Sequence, residues 1–472
     1  MLNIVGHKNA ERVFYYFQEI AKIPHGSGNC EKIAGYIENF AKTHGLEYVR
    51  DKKDNLIIRK PATAGYEGKP SVALQGHIDM VLAKDEGIEK DLSKEGLDLY
   101  LDGDLIKAKG TTLGADDGTA VSYMLALLED KDAEHPEIEA IFTTDEETGL
   151  FGAKAIDGAL IKSRMLINLD SDGEGCFVAG CAGGVRVDTI LDLKKKKMPH
   201  ALGRLTVGGL IGGHSGMEID KGRTNAIKTL GEIIYGLPNL VISEFVGGTA
   251  TNAIPAYATA LIFTSDEDEL KARIAKKTAE IKETEPDVRI EYTPNSAFKE
   301  VYGEEDSESI VDMLLKMKNG IIEMSAEVAG LVETSQNIGV IAVNDEGVAI
   351  YSSIRSSKEK SKEEIENEAA MLAKKYGGVC NFHESYPGWE YRVDSPLREV
   401  TVRTYKELFG KDPEIKIIHA GLECGILSSK LPGLDAISLG PDVYDIHSTA
   451  ERMSVSSAAR VWEHIKKILK EI

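Results

Sequence analysis

The sequence is poor in cysteine, in tryptophan, in long apolar runs and in positive charge. Its 472 residues include five cysteines and two tryptophans. Cys30, Cys176, Cys181, Cys380 and Cys424 are scattered and form no Cys-x-x-Cys pair. That argues for reduced thiols and against a disulfide framework or a cysteine-bound zinc site. No apolar stretch approaches the roughly 18 residues that a membrane span needs. The start, MLNIVGHKNAERVFYYF, lacks the basic beginning and apolar middle of a signal peptide. A cytoplasmic protein without a membrane partner is expected. Lysine and arginine number 56 against 77 acids, a net charge of −21. This argues against a nucleic-acid surface. It suits a site that gathers cations, although most of these acids are ordinary solvated surface.

At 42% apolar content the chain has enough to build cores, and its length implies roughly two to four domains. The first portion alternates. Helical patterns at Glu11–Ile23 and Cys30–His44 precede extended runs at Leu46–Arg50 and Asn55–Lys60. SVALQGHIDMV (71–81), IEAIFTTDE (138–146) and MLINLDSD (165–172) read as strands, and GTAVSYMLALLED (118–130) as an apolar helix. Such alternation predicts a covered α/β sheet, with ligands gathered at the carboxyl ends of its strands. From about Gly184 exposed strands and amphipathic or charged helices take over, as in RTNAIKTLGEIIYGL (223–237) and KEEIENEAAMLAKKYG (362–377). After Ser385 the α/β character returns, with a helix at 395–410, strands at 415–421 and 435–441, and a last helix from Ser454. The expected architecture is an α/β catalytic domain with a central mixed sheet flanked by helices (residues 1–187 and 385–472). An α+β lid domain, residues 188–384, is inserted into it. KKKK (194–197) reads as a solvated turn, and GEGCFVAGCAGG (173–184) is too weak a pattern to claim a nucleotide.

Acids and histidines recur at the ends of the apolar runs. His77 and Asp79 close VALQGHID, Asp116 and Asp117 precede a helix, Glu146 and Glu147 follow AIFTTD, Asp170 closes MLINLD, and His447 follows the strand at 435–439. Singly, each has an ordinary reading: a hydrogen-bonded histidine, a helix N-cap, a solvated acidic pair. Jointly they place carboxylates and imidazoles at one edge of one sheet, a donor set that suits Zn²⁺, with Mn²⁺ or Co²⁺ as substitutes. They are too many for one tetrahedral zinc and fit a pair of ions about 3.5–4 Å apart. A two-metal phosphoesterase would share the metals, but no phosphate-cradling loop is present.

The ordered motifs HIDMV, GADDGTA, TTDEETG, NLDSD, GGHSG, GGTATNAIP, IHAGLECG and IHS resemble the di-zinc family of aminoacylases, carboxypeptidases and dipeptidases along essentially the whole chain. The resemblance implies that His77 and Asp170 hold one zinc, that Glu147 and His447 hold the other, and that Asp116 bridges them. It also implies that Glu146 is the general base, that Asp79 hydrogen-bonds the His77 imidazole, and that the Asp116–Asp117 peptide is cis. Asp117 is a departure, since relatives often carry asparagine there. Two back-to-back glutamates would then divide the work, Glu147 bonded to metal and Glu146 free to move a proton. His214 is the candidate donor to the oxyanion, Arg355 the candidate grip on a substrate carboxylate, and Asn252 an added polar contact. The implied activity is hydrolysis of dipeptides, with a range extending to Xaa-His and β-alanyl-histidine. An aminoacylase or tripeptide aminopeptidase of the same family is the alternative, and a non-catalytic peptide-binding relative is a more distant one. Whether the protein works as one chain or as a homodimer stays open.

Overall fold

The computed structural model describes residues 2, 4, 6–328 and 330–472, with backbone alone at 197–200. Two compact units emerge: Met1–Cys181 with Tyr391–Ile417 and Leu422–Ile472, and Ala182–Glu390 with Ile418–Gly421. The fold is mixed α/β, and each unit is built on its own large sheet.

The first unit carries an eight-stranded mixed sheet. Its order is Glu47–Arg50, Leu56–Lys60, Ile138–Thr143, Val72–His77, Met165–Asn168, Asp435–Ser438, Cys176–Cys181, Glu414–Ile418. The four strands from Ile138–Thr143 to Asp435–Ser438 run parallel, so their carboxyl ends share one edge. Every residue of Val72–His77 and Ile138–Thr143 is buried, as expected of strands covered on both faces. Helices Glu11–Ile20, Ala115–Glu129 and Val455–Glu471 pack their apolar sides into one core, where Tyr123 stacks on Trp462 with ring centroids 6.2 Å apart. Among the described residues no helix is long and apolar enough to cross a membrane.

The second unit has a nine-stranded sheet whose recorded pairings are all antiparallel, from the edge strand Arg289–Val301 to the edge strand Gly378–Tyr386. Val348–Ser356 alternates buried and half-buried residues, the mark of a strand with one covered face. Helices Ala226–Ile234 and Glu304–Lys316 contribute their apolar residues to this unit's core.

Several sequence expectations need revision. Residues 173–184, which the sequence reading assigned to no element, contain a strand of the central sheet, Cys176–Cys181. The run 244–265 is broken into parts of three strands, by the segment 248–252 and again at 255–257. The strand at 415–421 stops at Ile418 and the one at 435–441 at Ser438. KKKK is not uniformly solvated: the Lys195 side chain is 7% exposed and pairs with Asp345 at 2.5 Å, while Lys196 already begins a strand. The side chain of Lys197 lies outside the described residues.

Candidate metal centre and substrate site

The shared edge of the parallel strands places the acids. His77 is the last residue of its strand, Asp170 lies two residues beyond Met165–Asn168, and Glu146 and Glu147 follow Ile138–Thr143. The three consecutive acids of TTDEETG do three different things. Asp145 adopts a left-handed turn (φ 52°), and its Oδ1 accepts from the Gly28 amide at 2.6 Å, fastening the turn to the 25–30 loop. Asp79 then accepts from the backbone amides of Glu146 at 3.0 Å and Glu147 at 3.4 Å, and from Ser27 Oγ at 2.8 Å. Turned this way, Glu147 Oε1 lies 2.9 Å from His447 Nε2, while the Glu146 carboxylate makes no hydrogen bond among the described residues.

His77 Nδ1 lies 3.0 Å from the Asp79 carbonyl oxygen and 3.5 Å from its carboxylate. The main-chain carbonyl is thus the shorter partner that sets the tautomer, leaving Nε2 as the lone-pair atom facing the acids. That Nε2 is 3.0 Å from Asp116 Oδ1 and 3.7 Å from Asp170 Oδ1. The other oxygen of Asp116, Oδ2, is 3.2 Å from His447 Nε2. Each oxygen of Asp116 therefore belongs to a different cluster, His77–Asp116–Asp170 or Asp116–Glu147–His447, and His77, Glu146 and Glu147 form a third close group. Imidazole nitrogen with carboxylate oxygen around a shared aspartate is a donor set that fits a pair of zinc-like ions.

The Asp116–Asp117 peptide is cis. Asp117 is 2% exposed and points into the protein, its Oδ2 accepting from the His77 amide at 3.1 Å. Sequence reasoning missed Glu451. Its carboxylate is wrapped by the backbone amides of Leu113, Gly114, Ala115 and Asp116, at 2.7 to 3.3 Å, and so pins the loop that presents Asp116. The spacing His447-x-x-x-Glu451 was visible, but nothing in it points to a partner more than 300 residues away.

Electrostatics match this arrangement. Burial, with neighbouring carboxylates, pushes Glu146 up to about 8 and raises Asp170 well above the ordinary range. Hydrogen bonds to Asp116 and Glu147 pull His447 up to about 10. Burial opposes the charge on His77, yet its bond to Asp116 and the nearby Asp170 raise it well above its usual value. The cluster favours cations.

A different cluster forms within the second unit. His214 lies on the short strand Gly213–His214, paired with Ala253–Ile254, and the Ser215 amide donates to the Asn252 carbonyl at 2.9 Å. Asn337 Nδ2 and Ser353 Oγ both donate to the Thr251 carbonyl, at 2.9 and 3.0 Å, and hold the Asn252 turn. The His214 Nδ1 accepts from the amides of Gly216 and Met217, each at 3.1 Å, so the ring hydrogen sits on Nε2. Burial and the Arg355 charge keep His214 below its ordinary value, hence neutral at pH 7. Arg355 Nη1 makes long contacts to Tyr386 Oη (3.3 Å) and the His419 carbonyl (3.4 Å). Its Nε is buried without a partner, and no carboxylate pairs with it among the described residues. His419, another residue the sequence reading passed over, bonds Ser335 Oγ through Nε2 at 2.7 Å; burial and Arg355 push it down to about 4. A Cβ at Gly421 would come 2.7 Å from the Tyr386 ring, so close packing demands glycine there.

Comparison with known proteins agrees with this chemistry. A sequence profile described as peptidase family M20/M25/M40 matches residues 73–471. The chain is 37% identical over 467 residues to the cytosol non-specific dipeptidase of Escherichia coli (strain K12), covering 97% of this chain and 96% of the relative. The crystal structure of aminoacylhistidine dipeptidase from Vibrio alginolyticus superposes with a TM-score of 0.93 at 34% identity, covering 98% of this chain and 96% of that one. An aminopeptidase from Bacillus cereus shares the fold, with a TM-score of 0.58 at 20% identity and 99% of each chain covered.

Proposed function

The chain belongs to peptidase family M20/M25/M40, and from that premise we propose that it is a metallo-dipeptidase that hydrolyses dipeptides with two zinc ions. The observation that carries the reading is Asp116, whose two oxygens face two different histidine-containing clusters. His77 and Asp170 would hold one ion and Glu147 and His447 the other, with Asp116 shared. Bound there, the ions would polarise the scissile carbonyl and acidify the attacking water, and Co²⁺ or Mn²⁺ could take their place. Glu146, not bonded to the histidines, takes the proton of that water and returns it to the leaving amine. His214, neutral with its hydrogen on Nε2, donates to the oxyanion. Arg355, half-buried without an acidic partner, receives the substrate's terminal carboxylate, and Asn252 adds a polar contact.

Near-full-length identity to a dipeptidase favours this reading over a tripeptide aminopeptidase or aminoacylase, for which the likeness is one of fold alone. A non-catalytic relative would be expected to lack Glu146 or one of the ligands, and each is present. The substrate range extends to Xaa-His and β-alanyl-histidine, the setting is the cytosol, and the acting residues are divided between segments 1–187 and 385–472 on one hand and 188–384 on the other. A dipeptide panel assayed with metal-free, Zn²⁺, Mn²⁺ and Co²⁺ protein, beside Glu146→Gln, tests it. Hydrolysis only with metal, abolished in a variant that still binds two ions, is expected. A Glu146→Gln protein that works at the parent rate would remove the assigned base.

A further inference from the structure

Beneath the metal-facing edge runs a row of polar side chains that the reaction does not use. Thr143, Gln75, Asn168 and Ser438 stand on four adjacent parallel strands, and each is fully buried. Gln75 is directly opposite Asn168, and Asn168 directly opposite Ser438. The side chains bond sideways across the sheet. Asn168 Nδ2 donates to Gln75 Oε1 at 2.7 Å, Gln75 Nε2 donates to Thr143 Oγ1 at 3.1 Å, and Ser438 Oγ donates to Asn168 Oδ1. At one end Ser438 meets Ser171 Oγ at 2.7 Å; at the other, Thr143 Oγ1 donates to Glu423 Oε2 at 2.6 Å, and Gln75 Nε2 donates to the same oxygen. Glu423 is itself fully buried, and its Oε1 has no hydrogen-bond partner among the described residues.

Such a row is costly in strands that are otherwise mostly apolar, because each buried polar group must find a partner or lose stability. An apolar row would pack these strands as well. What it could not do is fix how far one strand end slides past the next. Gln75 precedes His77 by two residues and Asn168 precedes Asp170 by two, so each sits one step below a ligand. Asn168 Oδ1 also accepts from the Asp170 amide at 3.4 Å. Asp116 is held differently: Glu451 gathers the amides of its loop.

We propose that the row Glu423–Thr143–Gln75–Asn168–Ser438 positions above all the ion site of His77 and Asp170, the residues that follow its two middle members, while the Glu451 clamp holds the Asp116 loop that both sites share. The inference depends on the two-ion reading above. Gln75, Asn168 and Glu423 are positioning residues, acting through other side chains.

Stepwise Co²⁺ titration of chelator-stripped full-length protein, followed by absorption and by competition with a chelator, separates the two ions. Asn168→Ala and, from the far end of the row, Glu423→Ala should each weaken one of the two ions by about tenfold or more and leave the other within about threefold. Glu423→Gln keeps an acceptor for Thr143 and Gln75 and should restore near-parent binding. Equal weakening of both ions, or of neither, in a variant whose metal-free melting curve remains cooperative would overturn the proposal. Should Asn168→Ala fail to fold, the Glu423 pair alone decides. A parent protein that takes up fewer than two ions overturns the two-ion reading and this inference with it. A two-ion parent with evenly weakened variants overturns the inference alone.

Discussion

His77 and His447, among the carboxylates of the first unit, are raised above the ordinary imidazole value, whereas His214 and His419, near Arg355 in the second unit, are lowered below it. One residue type is thus set to opposite tasks by its neighbours. In the first unit the surplus is acid, so the histidines supply nitrogen donors to a cluster that calls for cations. In the second unit burial first and the Arg355 charge second lower both histidines, with Glu218 opposing at His214, so they are able to donate a hydrogen without competing for an anion. Burial acts on all four. The sign of the shift follows the fixed charges alongside, and the sign shows what each cluster is built to receive.

The comparison is broken most forcefully at its acidic pole. Asp116→Ala removes the carboxylate shared by both histidine clusters, and uptake of both ions should fail together. The kcat should fall about 10³-fold or more, the scale of several kcal/mol of lost charge stabilisation. Metal analysis of the purified variant beside a dipeptide assay checks this. A variant that retains two ions would show that Asp116 does not bridge.

At the basic pole the effect is smaller. Arg355→Ala should raise KM for a dipeptide by about 10–100-fold, the worth of a charge-assisted hydrogen-bonded pair, with kcat changed less. The informative control is a dipeptide amide, which lacks the carboxylate. It should be a poor substrate for the parent and lose nothing further in the variant. An equal loss on acid and amide would mean that Arg355 supports the fold of its strand and not the substrate.

A third test uses the histidines buried away from either ion cluster. His464, in the first unit, donates from Nε2 to the Thr401 carbonyl at 3.0 Å and lies against Phe177 with ring centroids 5.5 Å apart. Burial pushes it down to about 4 from its ordinary 6.5. A histidine depressed in the folded state contributes its stability in full above 6.5, and that contribution is lost as pH falls from 6.5 to 4, where the unfolded chain binds the proton first. The loss is about 3 kcal/mol. Melting of the parent and of His464→Gln between pH 7 and pH 4 should show a shallower decline in the variant, and parallel declines would refute the assignment.

What the sequence made legible follows from where physical signals are local. Apolar runs ending in acids or histidine announced the strand ends of the first unit, because a strand buried on both faces is a continuous run and the candidate ligand sits at its last residue, as His77 does. The polar row was invisible for the same reason. Gln75 and Asn168 are lone polar residues inside apolar runs, and only the sheet order, which joins residues 75, 143, 168 and 438, gives them partners. Glu451 and Glu423 were hidden likewise, their partners being hundreds of residues distant. In the second unit the consecutive buried residues Glu333, Thr334, Ser335, Gln336 and Asn337 defeat any hydropathy reading. Their hydrogen bonds go to side chains and carbonyls brought in by other strands and turns, as Ser335 finds His419 and Asn337 finds Thr251.

The finest test of the comparison isolates the charge from the burial. His419 is lowered first by burial and then by Arg355, whereas His464 is lowered by burial with no nearby cation among its causes. Arg355→Met keeps most of the side-chain volume and removes the charge. His419 should then titrate higher than about 4 by a fraction of a unit, less than about 1.4 kcal/mol, because burial remains. His464 should not move. Imidazole resonances of selectively labelled histidine, followed from pH 7 to pH 3.5 in both proteins, give the two values from one sample. A His419 that stays put while Arg355 is gone would mean that burial alone sets its state, and the opposite shifts in the two units would then no longer share one cause.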